Sequence, residues 1–113
     1  MKEIDWSSLS FGYMKTDYNV RCWYRNGAWG EIEVSSEETL NIHMAATCLH
    51  YGQEAFEGLK AYRCPDGKVR VFRMDENAAR LQSSCRGIMM PEMPTEKFEE
   101  MVSKVVRLNE AYI

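Results

Sequence analysis

Short alternating runs occupy the first two-thirds of the chain, and two stretches at helical spacing occupy the last third. From Asn19 to Arg25, Val20, Cys22 and Tyr24 alternate with Arg21, Trp23 and Arg25, and the alternation resumes over residues 29–34. A period of two predicts β-strands. Asn26-Gly27 stands between them and takes up the positive φ of a tight turn readily, so the segment reads as a hairpin. Residues 35–41 are polar and read as a loop or a single turn. Residues 43–49 are small and apolar, ahead of Gly52 and Gly58. Two further runs, 59–62 and 68–73, flank Pro65-Asp66-Gly67, in which Pro presets φ and Gly takes the left-handed position, and they predict a second hairpin.

From Asp75 the period changes. Asp75 is the expected N-cap, Glu76 suits the positive end of a helix dipole, and Ala78, Ala79, Arg80, Leu81 and Gln82 are good helix formers. This helix should stop near Gly87. Pro91 and Pro94 bracket a loop and Thr95 is the expected cap of a second helix. There Phe98, Met101, Val102, Val105 and Leu108 recur on one face as far as Asn109. Ala111-Tyr112-Ile113 read as the opening of another strand, whose backbone groups need neighbours, so the expectation is a domain that continues past Ile113. Strands in antiparallel hairpins followed by helices predict an α+β fold, an antiparallel sheet with helices packed on it. No repeat, low-complexity tract or linker divides residues 1–113, which read as one unit.

Composition narrows the function. Apolar residues make up 45% and charged residues 27% of 113 positions, a globular balance with no disorder signature. A net charge of −3 offers no basic excess for phosphate backbones or anionic lipid, which argues against nucleic acid and membrane as partners. No apolar run approaches a membrane span, and the first ten residues are acidic and polar, so a cytoplasmic setting is expected. The four cysteines form no CxxC pair, and with two histidines they make no zinc-finger spacing; reduced thiols and no metal site are expected. The eight methionines, including Met89-Met90, suit adaptable packing.

The densest chemistry lies in His50-Tyr51-Gly52-Gln53-Glu54-Ala55-Phe56-Glu57-Gly58-Leu59-Lys60-Ala61-Tyr62. Glycines beside aromatics allow close backbone approach and a pocket wall, although the same residues serve equally as turn formers and core. His50 is a candidate base or a structural histidine. Glu54 and Glu57, three apart, would share a helix face as an acid/base pair or simply be hydrogen-bonded locally. Lys60, in an alternating strand, is a solvent-facing amine rather than a Schiff-base lysine. Arg80, one turn into a helix, offers a planar fork to phosphate or carboxylate, with an i, i+4 surface pair to Glu76 as the alternative.

This arrangement resembles the branched-chain amino-acid aminotransferases, fold-type IV enzymes that use pyridoxal 5′-phosphate. The likeness runs through Phe11-Gly12, Thr16-Asp17, Trp29, Leu49-His50-Tyr51-Gly52-Gln53, Phe56-Glu57-Gly58-Leu59-Lys60-Ala61-Tyr62, Val71-Phe72-Arg73 and Asn77-Ala78-Ala79-Arg80-Leu81. Phe-Glu-Gly-x-Lys, Phe-Arg and Arg-Leu are shared with D-amino-acid aminotransferases and aminodeoxychorismate lyases; Phe11-Gly12 with Thr16-Asp17 and Leu-His-Tyr-Gly-Gln favour the branched-chain subgroup. The resemblance implies that Arg80 binds the cofactor phosphate and that Phe11, Tyr51 and Phe56 line a pocket for the aliphatic side chain of Leu, Ile or Val. It implies that Gly52 and Gly58 allow close backbone approach and that Glu57 is a structural hydrogen-bond partner. It also implies a homodimer, and 2-oxoglutarate as amino acceptor.

Family chains are much longer, so residues 1–113 correspond to a partial N-terminal small domain. The cofactor-bearing lysine and its domain have no counterpart here, and none of Lys2, Lys15, Lys60, Lys68, Lys97 or Lys104 matches that lysine. The expectation is therefore no catalytic residue and no activity in this chain alone. The alternatives are another class IV enzyme, or a non-catalytic dimerisation or interaction module.

Overall fold

Asn26 (φ 52°) and Gly27 (φ 79°) both lie in the left-handed region. They close a hairpin between β1 (Asn19–Arg25) and β2 (Ala28–Ser35) in the computed structural model of the chain, which describes residues 1–8 and 12–113. Two consecutive positive φ values match the twist of the strands they join. Pairing runs antiparallel from Asn19↔Ser35 to Arg25↔Ala28, with a register shift between Cys22 and Tyr24. Across the ladder Tyr24 and Trp29 meet edge to face, ring centroids 5.2 Å apart.

The second hairpin pairs β3 (Ala61–Arg63) with β4 (Val69–Val71), also antiparallel. Asp66 organises its turn by accepting the Lys68 amide at 3.0 Å and a forked bond from Arg70 at 2.9 and 2.7 Å. Its strands are shorter than the alternation over 59–62 and 68–73 predicts, because only three residues on each side find a ladder partner. The two hairpins do not join, so the antiparallel sheet is divided into two two-stranded pieces. The α+β class holds.

Residues 43–49 end in a single helical turn, α1 (Thr47–His50). The long helices are α2 (Met74–Gly87) and α3 (Thr95–Leu108), at the expected places. Their N-caps are not the expected ones. Arg73, at φ 48°, is the N-cap of α2, and Asp75 sits inside the first turn. The Asp75 carboxylate is taken by the Arg73 guanidinium at 3.0 and 3.1 Å, with Glu76 joining at 2.8 Å, so it does not cap the backbone. Pro94 precedes α3, and Thr95 is its first residue rather than its cap. Residues Glu110–Tyr112 form a 3-10 turn rather than the expected strand, because α3 tightens at its end with Tyr112 N–H donating to the Asn109 carbonyl.

α3 packs against both α2 and β1, and the buried residues cluster along these contacts: Ala78 and Cys85 on α2, Val102 on α3, and Asn109 just after it. Side-chain bonds to backbone carbonyls hold the first hairpin to α3 and to the loop before it. Trp29 Nε1–H donates to the Glu92 carbonyl at 2.9 Å and Lys97 Nζ to the Gly30 carbonyl at 2.8 Å. At the N-terminus Lys2 Nζ reaches the Tyr112 hydroxyl (2.8 Å), and that hydroxyl donates to Asp17 (2.9 Å). The chain exposes 8791 Å², whereas a compact monomer of this mass exposes about 6,400 Å². Its radius of gyration, 15.7 Å, also exceeds the roughly 13 Å of a compact domain this long. Phe56, Tyr51, Phe72 and Tyr62 are among the large apolar side chains left in the open.

Candidate functional site

Residues 52–60 run between α1 and β3 as neither helix nor strand. Glu54 and Glu57 therefore share no helix face and form no acid/base pair. Glu57 instead turns in towards α2. Its carboxylate, 7% exposed, accepts from Arg80 Nε–H at 2.8 and 3.1 Å and from Arg80 Nη2 at 2.7 Å. Asn77 Nδ2 donates to the same carboxylate at 2.8 Å and to the Gly58 carbonyl at 3.1 Å. Asn77 and Arg80 lie one turn apart on α2 and so face the same way.

The Arg80 guanidinium holds the Glu57 carboxyl below its ordinary value, against the opposing pull of burial and with help from the Asn77 amide. The bond to Glu57 raises Arg80 in turn. Arg80 is not paired with Glu76, which belongs to Arg73. Its side chain is 68% exposed. Two of its five donors face Glu57, which leaves the end-on fork of Nη1 and Nη2 turned away from the carboxylate.

Phe56, 87% exposed, stands beside this cluster. With Leu59, Lys60, Tyr62, Phe72 and Asn77 it lines an open depression, so Asn77 borders both the depression and the Glu57 clasp. Tyr51 is set apart at the end of α1, 83% exposed. Phe11 lies outside the described residues. Gly52 (φ 62°) needs its left-handed backbone, whereas a Cβ on Gly58 would meet only the Phe56 ring, at 3.5 and 3.8 Å.

His50 Nε2 lies 2.6 Å from the Met44 carbonyl, the structural alternative for this residue. Gln53, whose role no local sequence signal marks, ties the segment down: its amide oxygen accepts from the Thr47 hydroxyl (2.6 Å) and its amide nitrogen donates to the Ile88 carbonyl (2.9 Å). Lys60 precedes β3 and is exposed. All four cysteines are free thiols, and no metal-binding cluster occurs among the described residues. No helix among them is long and apolar enough to cross a membrane.

No family model matches the chain. Individual relatives do. Over 113 residues, all of this chain, it is 44% identical to the branched-chain-amino-acid aminotransferase of Haemophilus influenzae and 42% identical to that of Helicobacter pylori, covering 33% of each. It is 38% identical over 115 positions to branched-chain-amino-acid aminotransferase 5, chloroplastic, of Arabidopsis thaliana, covering 28% of it. The chain thus spans about a third of the length of the curated relatives it matches. Homology to branched-chain-amino-acid aminotransferases extends along the whole of its sequence.

Proposed function

We propose that this chain is the N-terminal part of a pyridoxal-phosphate-dependent branched-chain amino-acid aminotransferase, which moves an amino group between Leu, Ile or Val and 2-oxoglutarate. In this reading Arg80 grips the cofactor phosphate, while Phe56, Tyr51 and Phe11 belong to the wall that meets the aliphatic side chain. The observation that carries it is the geometry of Arg80. Its guanidinium is held on a rigid helix with an outward end-on fork that meets no acceptor among the described residues, the donor pattern that suits two oxygens of a phosphate dianion. The exposed Phe56 beside it supports an apolar wall adjoining that anchor.

The cofactor, when bound, supplies an electron-withdrawing ring conjugated with the substrate amine. Residues of this chain do the rest that falls to it: Arg80 fixes the phosphate end, and the aromatic wall selects by contact area. A methylene-scale difference in such a pocket is worth about 1–3 kcal/mol. The excess exposed surface is where we place the remainder of the enzyme and a second subunit of a homodimer. We place the enzyme in the cytoplasm, in amino-acid biosynthesis. These 113 residues alone carry no catalytic residue and no activity.

A chimera tests the reading. The segment of the Haemophilus influenzae relative that matches this chain is replaced by it, and transamination of Leu, Ile and Val is measured beside the 113-residue chain alone. The expected result is activity in the chimera, loss of tightly held pyridoxal phosphate on Arg80→Ala, and no turnover by the chain alone. Undiminished retention of the cofactor in Arg80→Ala, or turnover by the isolated chain, overturns it.

A further inference from the structure

Arg80 can serve as an oxyanion ligand in two ways, as a point of positive charge or as a fork in a set direction. The Glu57 clasp bears on which. A carboxylate beside the guanidinium offsets part of its charge, so for attraction alone Glu57 is a handicap. For direction it is an advantage. Glu57 is nearly buried, engages Arg80 side-on through Nε and Nη2, and is held on its other side by Asn77. An arginine without such a partner loses much side-chain freedom when it binds, and a clasped one has lost that freedom already.

We propose that Glu57 is a positioning residue for a phosphate-bearing ligand: with Asn77 it holds Arg80 so that the end-on fork stays aimed outward for two oxyanion oxygens. The inference rests on the reading of Arg80 as the phosphate ligand. Its signature is selectivity. The clasp raises the preference for an anion that accepts two parallel bonds over a spherical one, even as it lowers the attraction for both.

The test titrates inorganic phosphate, and separately chloride, into the isotope-labelled 113-residue chain while the Arg80 Nε–Hε resonance is followed. Glu57→Gln keeps the shape but removes the charge and one acceptor. Glu57→Asp keeps the charge but shortens the reach. Both should lower the phosphate-over-chloride preference about tenfold and speed solvent exchange of the Arg80 Nε proton. Asn77→Ala, should the Glu57 variants fail to fold, should do the same to a smaller degree.

A preference left intact in these variants, or retained by Glu57→Asp alone, sinks the positioning role and leaves Arg80 as a simple charge. If phosphate produces no saturable shift, or if Arg80→Lys binds it unchanged, the reading of Arg80 as the phosphate ligand fails first.

Discussion

Asn109 reaches back across the chain to Tyr18 and pairs with both of its backbone groups. Its Oδ1 accepts the Tyr18 amide at 3.1 Å, and its Nδ2 donates to the Tyr18 carbonyl at 2.9 Å. A further bond from Nδ2 meets the Val105 carbonyl at 2.9 Å. This buried amide joins the end of α3 to the entry of β1 and leaves none of its partners unpaired.

Replacing it should be costly. Asn109→Ala leaves the Tyr18 amide without its acceptor, while the Tyr18 and Val105 carbonyls keep the Thr16 hydroxyl and the residue-109 N–H as donors, a loss of about 1–3 kcal/mol. Asn109→Asp keeps the acceptor but sets a carboxylate against both carbonyls, so it should be at least as damaging at neutral pH and partly relieved in acid, where a protonated Asp can donate again. Urea unfolding at pH 7 and pH 4 checks both. An Asp variant as stable as wild type at pH 7 would contradict the geometry.

The Glu57 clasp gives a pH signature. Because Arg80 depresses the folded-state value of Glu57, the stabilisation is complete above its unfolded value, near 4.5, and is lost as the pH falls through the lower folded value. The stability gap between wild type and Glu57→Gln should thus be open at pH 7 and close at the acid end. Parallel unfolding curves from pH 7 to pH 3 measure it, and a gap that widens in acid rejects the assignment.

What the sequence showed and what it hid divide by range. The Asn26-Gly27 turn, the face of α3 built on Val102 and the stop of α2 at Gly87 depend on neighbours within a few positions, and periodicity reveals those. Arg73 is not legible as the cap of α2, because Asp75 is the better capping residue by type and is captured by the Arg73 side chain itself. The contacts that build the candidate site span longer distances: Glu57 to Arg80, Gln53 to Ile88, Asn109 to Tyr18. No local rule pairs such positions. The i, i+3 spacing of Asn77 and Arg80 was a readable sign that both face one way, though not of what they face.

Gly52 and Gly58 should behave oppositely. Gly52→Ala forces a Cβ into a left-handed backbone at φ 62° with no contact to compensate, a cost of about 1–2 kcal/mol. Gly58→Ala meets the Phe56 ring at an ordinary 3.5 Å and should stay within about 0.5 kcal/mol of wild type. Thermal unfolding of the two variants decides, and the reverse order would mean that the 52–60 segment is held differently.

Phe56 should separate stability from selectivity. At 87% exposed it contributes little burial in this chain, so Phe56→Ala should leave the unfolding free energy within about 0.5 kcal/mol. In the chimeric enzyme the same change removes a ring from the proposed wall and should weaken transamination of Leu by about tenfold in kcat/KM, in line with a contact worth roughly 1–3 kcal/mol. Alanine, whose methyl group reaches less of that wall, should lose much less. The ratio of the two losses carries the argument, since a general disturbance of the site would lower both alike. An equal fall for Leu and Ala, with the chain itself unchanged in stability, would take Phe56 out of the substrate wall and leave it as surface to be covered by the rest of the enzyme.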